Sequence, residues 1–157
     1  MMLFGTIHLR KLVSSLALTL GTGLLAGYLS GSQGGIYGAL NQPPLAPPGW
    51  VFGAVWTVLY ILMGVSLYLV RTTPGEHGRA ETVFALQLLI NFFWPILFFA
   101  LGWYCFSVLW LILLILAVAL TVWLFYQVNK TAAWLLVPYF VWCLFALYLN
   151  IGVCILN

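Results

Sequence analysis

No charged side chain stands between Lys11 and Arg71, between Glu81 and Lys130, or anywhere after Lys130. Intervals of that length leave no helix or sheet with a charged, water-facing side. A soluble domain keeps about a quarter of its residues charged because its surface meets water. Here the share is 4%, against 65% hydrophobic. The outer surface must therefore face lipid. The only acids are Glu76 and Glu81, and five basic residues give a net charge of +3. That is too little positive charge, too thinly spread, for a nucleic-acid surface.

Five apolar stretches reach the length of roughly 20 residues that crosses a bilayer. They run over about 10–30, 49–70, 80–101, 104–128 and 132–155. Lipid offers the backbone no hydrogen-bond partners and no alternating pattern appears, so the spans are helices. The expected fold is all-α: one integral membrane domain, 1–157, of five transmembrane helices. Arg10 and Lys11 before the first apolar run imitate a signal peptide, but that run is too long for one and reads as a retained helix. With five spans, Arg10, Lys11, Arg71, Arg79 and Lys130 all fall on one side. The positive-inside rule then places the N-terminus in the cytoplasm and the C-terminus outside.

The longest connection, 31–48, starts with Gly31, Gly34, Gly35 and Gly38 and continues through Pro43, Pro44, Pro47 and Pro48. Glycine leaves the backbone free and proline fixes it, so a flexible start and a rigid end suit a lid over the bundle. Cys105, Cys143 and Cys154 show no metal-ligand spacing, and their odd number argues against a disulfide framework. They read as small apolar packing residues, and no metal site is expected.

Apart from Arg10, Lys11 and Glu81 at the ends of their spans, no carboxylate, lysine, arginine or histidine sits within a span, which removes the usual means of ion coupling and acid–base catalysis. His8 and His77 lie at helix ends, away from any place where they would ligate haem iron within the bundle. The spans instead hold aromatic rings and amides at helical spacing. Trp56 and Tyr60 share a face, as do Gln87, Asn91 and Trp94 with Pro95 behind. Tyr139, Trp142, Ala146 and Asn150 follow steps of three, four and four. Amides are costly against lipid, so these stripes should turn inward, either as glue between helices or as walls of a pocket for a planar apolar ligand. Trp50, Trp103, Tyr104 and Trp134 fit the headgroup depth that tryptophan and tyrosine favour. Gly23 and Gly27 form a small-xxx-small step suited to helix packing or dimerisation. Pro95 and Pro138 are positioned to kink their spans.

Three segments together resemble the tryptophan-rich sensory protein family, also called translocator protein or peripheral-type benzodiazepine receptor. Residues 37–60 read YGALNQPPLAPPGWVFGAVWTVLY, residues 87–99 read QLLINFFWPILFF, and residues 137–150 read VPYFVWCLFALYLN. The family shows a loop tyrosine and prolines before a Val-Trp-Thr-x-Leu-Tyr helix. A Gln-x3-Asn-x2-Trp-x3-Phe-Phe segment and a Pro-Tyr-x2-Trp-x3-Ala-x2-Leu-Asn segment follow in the same order. The resemblance implies five helices around a cavity roofed by the first loop, as a homodimer. It implies ligands such as protoporphyrin IX, related tetrapyrroles including haem, and isoquinoline-carboxamide or benzodiazepine drugs, with no required cofactor.

Matching ligand-binding positions are Trp56, Asn91, Trp94, Trp142 and Ala146, with Tyr37 and Pro47 closing from the lid; Tyr60 and Tyr139 join them by spacing. Some members promote light- and oxygen-dependent breakdown of protoporphyrin IX, for which Trp56 and Trp142 would be the catalytic candidates. The pattern departs at Ile36, Gln42 and Leu45, where the family favours Trp, Lys and Trp. No basic residue follows Lys130, so the cholesterol motif of animal members is missing and a bacterial origin is expected. Receptor, transporter, photo-oxidative enzyme and purely structural membrane protein therefore stand as the readings to separate.

Overall fold

The computed structural model describes residues 7–31 and 33–157. It forms six α-helices, five of them long and apolar enough to cross a membrane: α1 (Leu9–Ser30), α3 (Gly49–Thr72), α4 (Gly78–Pro95), α5 (Tyr104–Val128) and α6 (Lys130–Leu156). The sixth, α2 (Gln33–Gly38), is short and lies in the first connection. Among the described residues there is no strand. The spans close into a ring in the order α1, α3, α6, α5, α4. This is an integral, multi-pass membrane protein.

The observed helix ends differ from the sequence reading by a few residues, and each end has a local cause. Asn129 caps α6 through a hydrogen bond from Ala132 N to its Oδ1 at 3.1 Å, so that helix starts at Lys130 rather than 132. Gly102, at φ 66, makes the reversal between the third and fourth spans. Pro95 has no N–H to give the carbonyl of Asn91, and the chain continues as a π-helix over Ile96–Ala100. The third span is therefore α4 followed by this wider turn.

Two readings are corrected. The glycine-rich start of the lid is helical over Gln33–Gly38. There α2 lies so close to α3 that a Cβ on Gly49 would stand 2.8 Å from the Cα of Gly34. Glycine permits that approach because it has no side chain to exclude it. Cys105 and Cys154 form a disulfide, while only Cys143 is free and buried. Neighbouring antiparallel helices bring the start of α5 beside the end of α6, a proximity that spacing along the chain does not reveal.

The ends of the bundle are fastened differently. At the charged end, Arg71 on α3 pairs with Glu81 on α4 (3.1 Å) and donates to the buried Ser15 on α1 (3.1 Å). Lys11 donates to the Arg71 carbonyl at 2.9 Å, and His77 Nδ1 lies 2.7 Å from Glu81. Single exposed ion pairs contribute about 0–1 kcal/mol, but this one is a network across three helices. At the lid end, Asn157 accepts from Asn41 N (3.1 Å) and donates to its carbonyl (2.9 Å). Tyr148 donates to the Pro44 carbonyl at 2.6 Å, and Gly152 leaves room for the Pro43 ring against α6.

Candidate ligand cavity

A cavity of about 250 Å³ opens between α1, α3 and α4 beneath α2. Its walls are Leu20, Gly23, Leu24, Ala26 and Gly27 from α1, Gln33 from α2, Gly53, Trp56, Thr57 and Tyr60 from α3, and Asn91, Trp94 and Pro95 from α4. Gly27 and Gly53 create much of this space. On α1, Gly27 has nothing within 4 Å of where a Cβ would stand, whereas Gly23 seats the ring of Tyr60. On the α1 wall, which also carries Leu20, Leu24 and Ala26, it is Gly27 that leaves space unfilled.

Aromatic rings form one wall. The ring centre of Trp56, a half-buried residue, lies 5.7 Å from Tyr60, 6.5 Å from Trp94 and 6.0 Å from Tyr139. Behind that wall runs a buried chain of hydrogen bonds. Tyr60 Oη donates to Asn91 Oδ1 at 2.6 Å, Asn91 Nδ2 donates to Tyr139 Oη at 2.6 Å, and Tyr139 Oη donates to Gln87 Oε1 at 2.9 Å. It ends at Gln87 Nε2, which is buried without a partner. The amides at 87, 91 and 150 all face inward, as their cost in lipid requires. Asn150 is also a cross-link: it accepts from Trp94 Nε1 and Ser107 Oγ, each at 3.1 Å, and donates to the Tyr104 carbonyl at 2.8 Å.

Four of the sequence-derived positions, Trp56, Tyr60, Asn91 and Trp94, therefore meet on one cavity. The others lie elsewhere. Tyr37 and Ala146 flank a much smaller void of about 10 Å³, walled also by Phe52, Trp94 and Phe98. Burial lifts the Tyr37 phenol above its ordinary pKa, so it stays neutral, and its hydroxyl has no partner. Tyr139 is wholly buried behind Trp56. Pro47 is half-buried in the lid and does not line the cavity. Trp142 packs on Phe52 and Phe145 and lines a broad groove of about 950 Å³ between α3 and α6. That groove is open and almost entirely apolar, which suits acyl chains better than an oriented ligand.

Sequence reasoning missed the wall supplied by α1 and the part of Gln33, whose Nε2 donates to Ser30 Oγ at 2.6 Å. The Gly23–Gly27 step was the available signal, and it marks a gap inside the bundle as well as a packing surface. Among the described residues no cluster of His, Cys, Asp or Glu is suited to hold a metal ion.

Residues 15–156 match the sequence profile of the TspO/MBR family. The chain is 36% identical over 152 residues to the tryptophan-rich protein TspO of Archaeoglobus fulgidus, covering 96% of this chain and 99% of that one. It is 36% identical over 121 residues to the tryptophan-rich sensory protein of Cereibacter sphaeroides, with 77% and 76% covered. To the translocator protein of Homo sapiens it is 38% identical over 121 residues, with 73% and 70% covered.

Proposed function

Because this chain belongs to the TspO/MBR family, we propose that it is a membrane receptor whose cavity binds planar, largely apolar ligands. Protoporphyrin IX and related tetrapyrroles are the leading class, with isoquinoline-carboxamide or benzodiazepine drugs as smaller occupants. Transport would follow from binding and release. The observation that carries this reading is an uncharged cavity with Trp56 along its side and the Tyr60–Asn91 pair at its base. Flat rings supply apolar contact area, and a few fixed polar atoms orient what binds.

Titrating purified protein with protoporphyrin IX, followed by quenching of tryptophan emission, tests the reading. Trp56→Phe should weaken binding or alter its spectrum. Trp142→Phe should do so only through Phe52 and the lid. Unchanged titrations for both variants would remove this cavity as the site.

A second reading has a specific observation behind it. Trp56 lies beside two tyrosines and a second tryptophan, so an oxidisable cluster borders the cavity. An illuminated porphyrin with dioxygen would find electron donors there, without needing an acid–base pair. If illumination gives the same products with Trp56→Phe and Trp142→Phe, the protein is a bystander to that chemistry.

We also propose that the charged end is cytoplasmic and the lid end external. The five basic residues support this, and so does the Cys105–Cys154 disulfide near the lid end, since disulfides persist in oxidising compartments. Labelling of reduced cells with a membrane-impermeant thiol reagent should modify Cys105 and Cys154. The homodimer implied by the family is testable by native mass spectrometry in mild detergent.

A further inference from the structure

The cavity's depth runs from the lid end, at Gln33 and Gly53, to Leu20, Tyr60 and Asn91 at its base. None of its lining residues is charged. At 1.5 Å per residue, the nearest charged residue lies about 16 Å farther along α3 from Tyr60 (Arg71). It lies about 14 Å from Leu20 on α1 (Lys11) and about 15 Å from Asn91 on α4 (Glu81). Those groups already bond to one another at the far end of the bundle.

The polar atoms at the base are also largely committed. Tyr60 gives its proton to Asn91, which leaves one acceptor lone pair on its oxygen. Asn91 uses one of its two oxygen lone pairs on Tyr60 and one amide proton on Tyr139, which leaves one lone pair and one N–H. Two neutral acceptor lone pairs and one neutral donor remain at the base. A carboxylate placed there would lose its water and gain hydrogen bonds from neutral donors only, with no cation in reach.

Size adds a second limit. A cavity of about 150 Å³ holds one benzene ring, and pockets for drug-sized molecules run from roughly 300 Å³ upward. At about 250 Å³ this cavity has room for a fused pair of rings, not for a whole substituted tetrapyrrole.

We infer that the cavity selects ligands by an uncharged edge: a planar molecule enters with its neutral rim against Tyr60 and Asn91, while any charged rim stays at the mouth. This rests on the porphyrin reading above and sharpens it. Protoporphyrin IX carries both propionates on one edge and vinyl and methyl groups on the opposite one. Its vinyl edge goes in, and its carboxylates remain hydrated near Gln33 and Gly53. A neutral fused bicycle is accepted whole. A macrocycle with carboxylates on every side has no edge to offer.

The test compares protoporphyrin IX with its dimethyl ester on the full-length protein in nanodiscs of zwitterionic lipid, counting only the saturable component. In the wild type the two should bind within about threefold of each other. A second arm uses Trp50→Lys. Trp50 is 75% exposed, one turn beyond Gly53 on α3 and outside the cavity. A lysine there should tighten the diacid about two- to fivefold, as an exposed ion pair does, and leave the diester unchanged; Trp50→Gln should tighten neither. A diester that loses tenfold or more, or a lysine that fails to separate the two porphyrins, overturns the inference while porphyrin binding itself stands. Loss of saturable binding by both porphyrins sinks the receptor reading, and the inference with it.

Discussion

A methyl group added to α1 should have opposite effects at two glycines one turn apart. A Cβ on Gly23 would stand 3.0 Å from Cζ of the Tyr60 ring and closer still to two other ring carbons. That ring yields only by turning toward the cavity and giving up the hydrogen bond that holds its hydroxyl to Asn91 at 2.6 Å. Overpacking of this kind costs about 1–3 kcal/mol. Displacing the hydroxyl adds about 1 kcal/mol for the hydrogen bond, and alanine returns about 1 kcal/mol in helix propensity. The net loss for Gly23→Ala is about 1–3 kcal/mol, or a fall in Tm of roughly 2–12 °C for a chain of this size. Gly27→Ala meets nothing within 4 Å and keeps the propensity gain, so its Tm should hold or rise by roughly 2–4 °C. A thiol-reactive dye reading the buried Cys143 during heating measures both variants. The displaced ring moves into the cavity, so ligand-linked stabilisation should shrink for Gly23→Ala as well. If both glycines shift Tm in the same direction, or Gly23→Ala is as stable as the parent, the packing argument for this wall is wrong.

Three further outcomes follow from the contacts. Tyr60→Phe leaves the Asn91 carbonyl without its donor, whereas Tyr139→Phe leaves both Asn91 Nδ2 and Gln87 Oε1 unpaired. At about 1–3 kcal/mol per stranded buried group, Tyr139→Phe should lower Tm by about twice as much; equal shifts would mean the chain does not act as a relay of bonds. The Cys105–Cys154 bridge, with a sequence separation of 49, stabilises by at most about 4 kcal/mol of chain entropy. Reductant should therefore lower Tm by several degrees in the wild type and leave a Cys105→Ser/Cys154→Ser variant unmoved. Tyr148→Phe removes the bond to Pro44 that holds the lid, and at about 1 kcal/mol ligand dissociation in stopped flow should quicken about fivefold. An unchanged rate would show that the lid does not gate release.

The membrane fold was legible because lipid sets a severe condition. Charge-free runs of about 20 residues have few alternatives, and each observed span lies within a few residues of its sequence reading. What escaped depends on contacts between elements. The glycines of 31–38 suggest freedom when read singly, yet α2 forms there by lying against Gly49. Half of the candidate site was readable because Trp56, Tyr60, Asn91 and Trp94 lie on faces that neighbouring helices turn toward one space. Trp142 shows the limit of the same method. Three residues past Tyr139 places it about 60° around the helix from that residue. On α6 that rotation carries the ring from the buried side, where Tyr139 and Ala146 lie, to the groove shared with α3. A stripe four residues long is wide enough to border two spaces.

The position of the cavity follows from how unequally α1 is held. Toward the charged end, Lys11 and Ser15 bond to Arg71, and Gly64 lets α3 approach so closely that its Cβ would stand 3.0 Å from the Leu16 backbone. Farther along, Gly23 lies close against the Tyr60 ring of α3. Beyond it, α1 presents Gly27 to open space and Leu24 is 75% exposed, while on α3 Gly53 also has nothing within 4 Å. An apolar void loses packing contacts in proportion to its surface. The unfilled wall and the hydrogen bonds that hold the lid lie at the same end of the bundle. On the receptor reading proposed above, a ligand that fills the space would restore contacts the protein lacks alone.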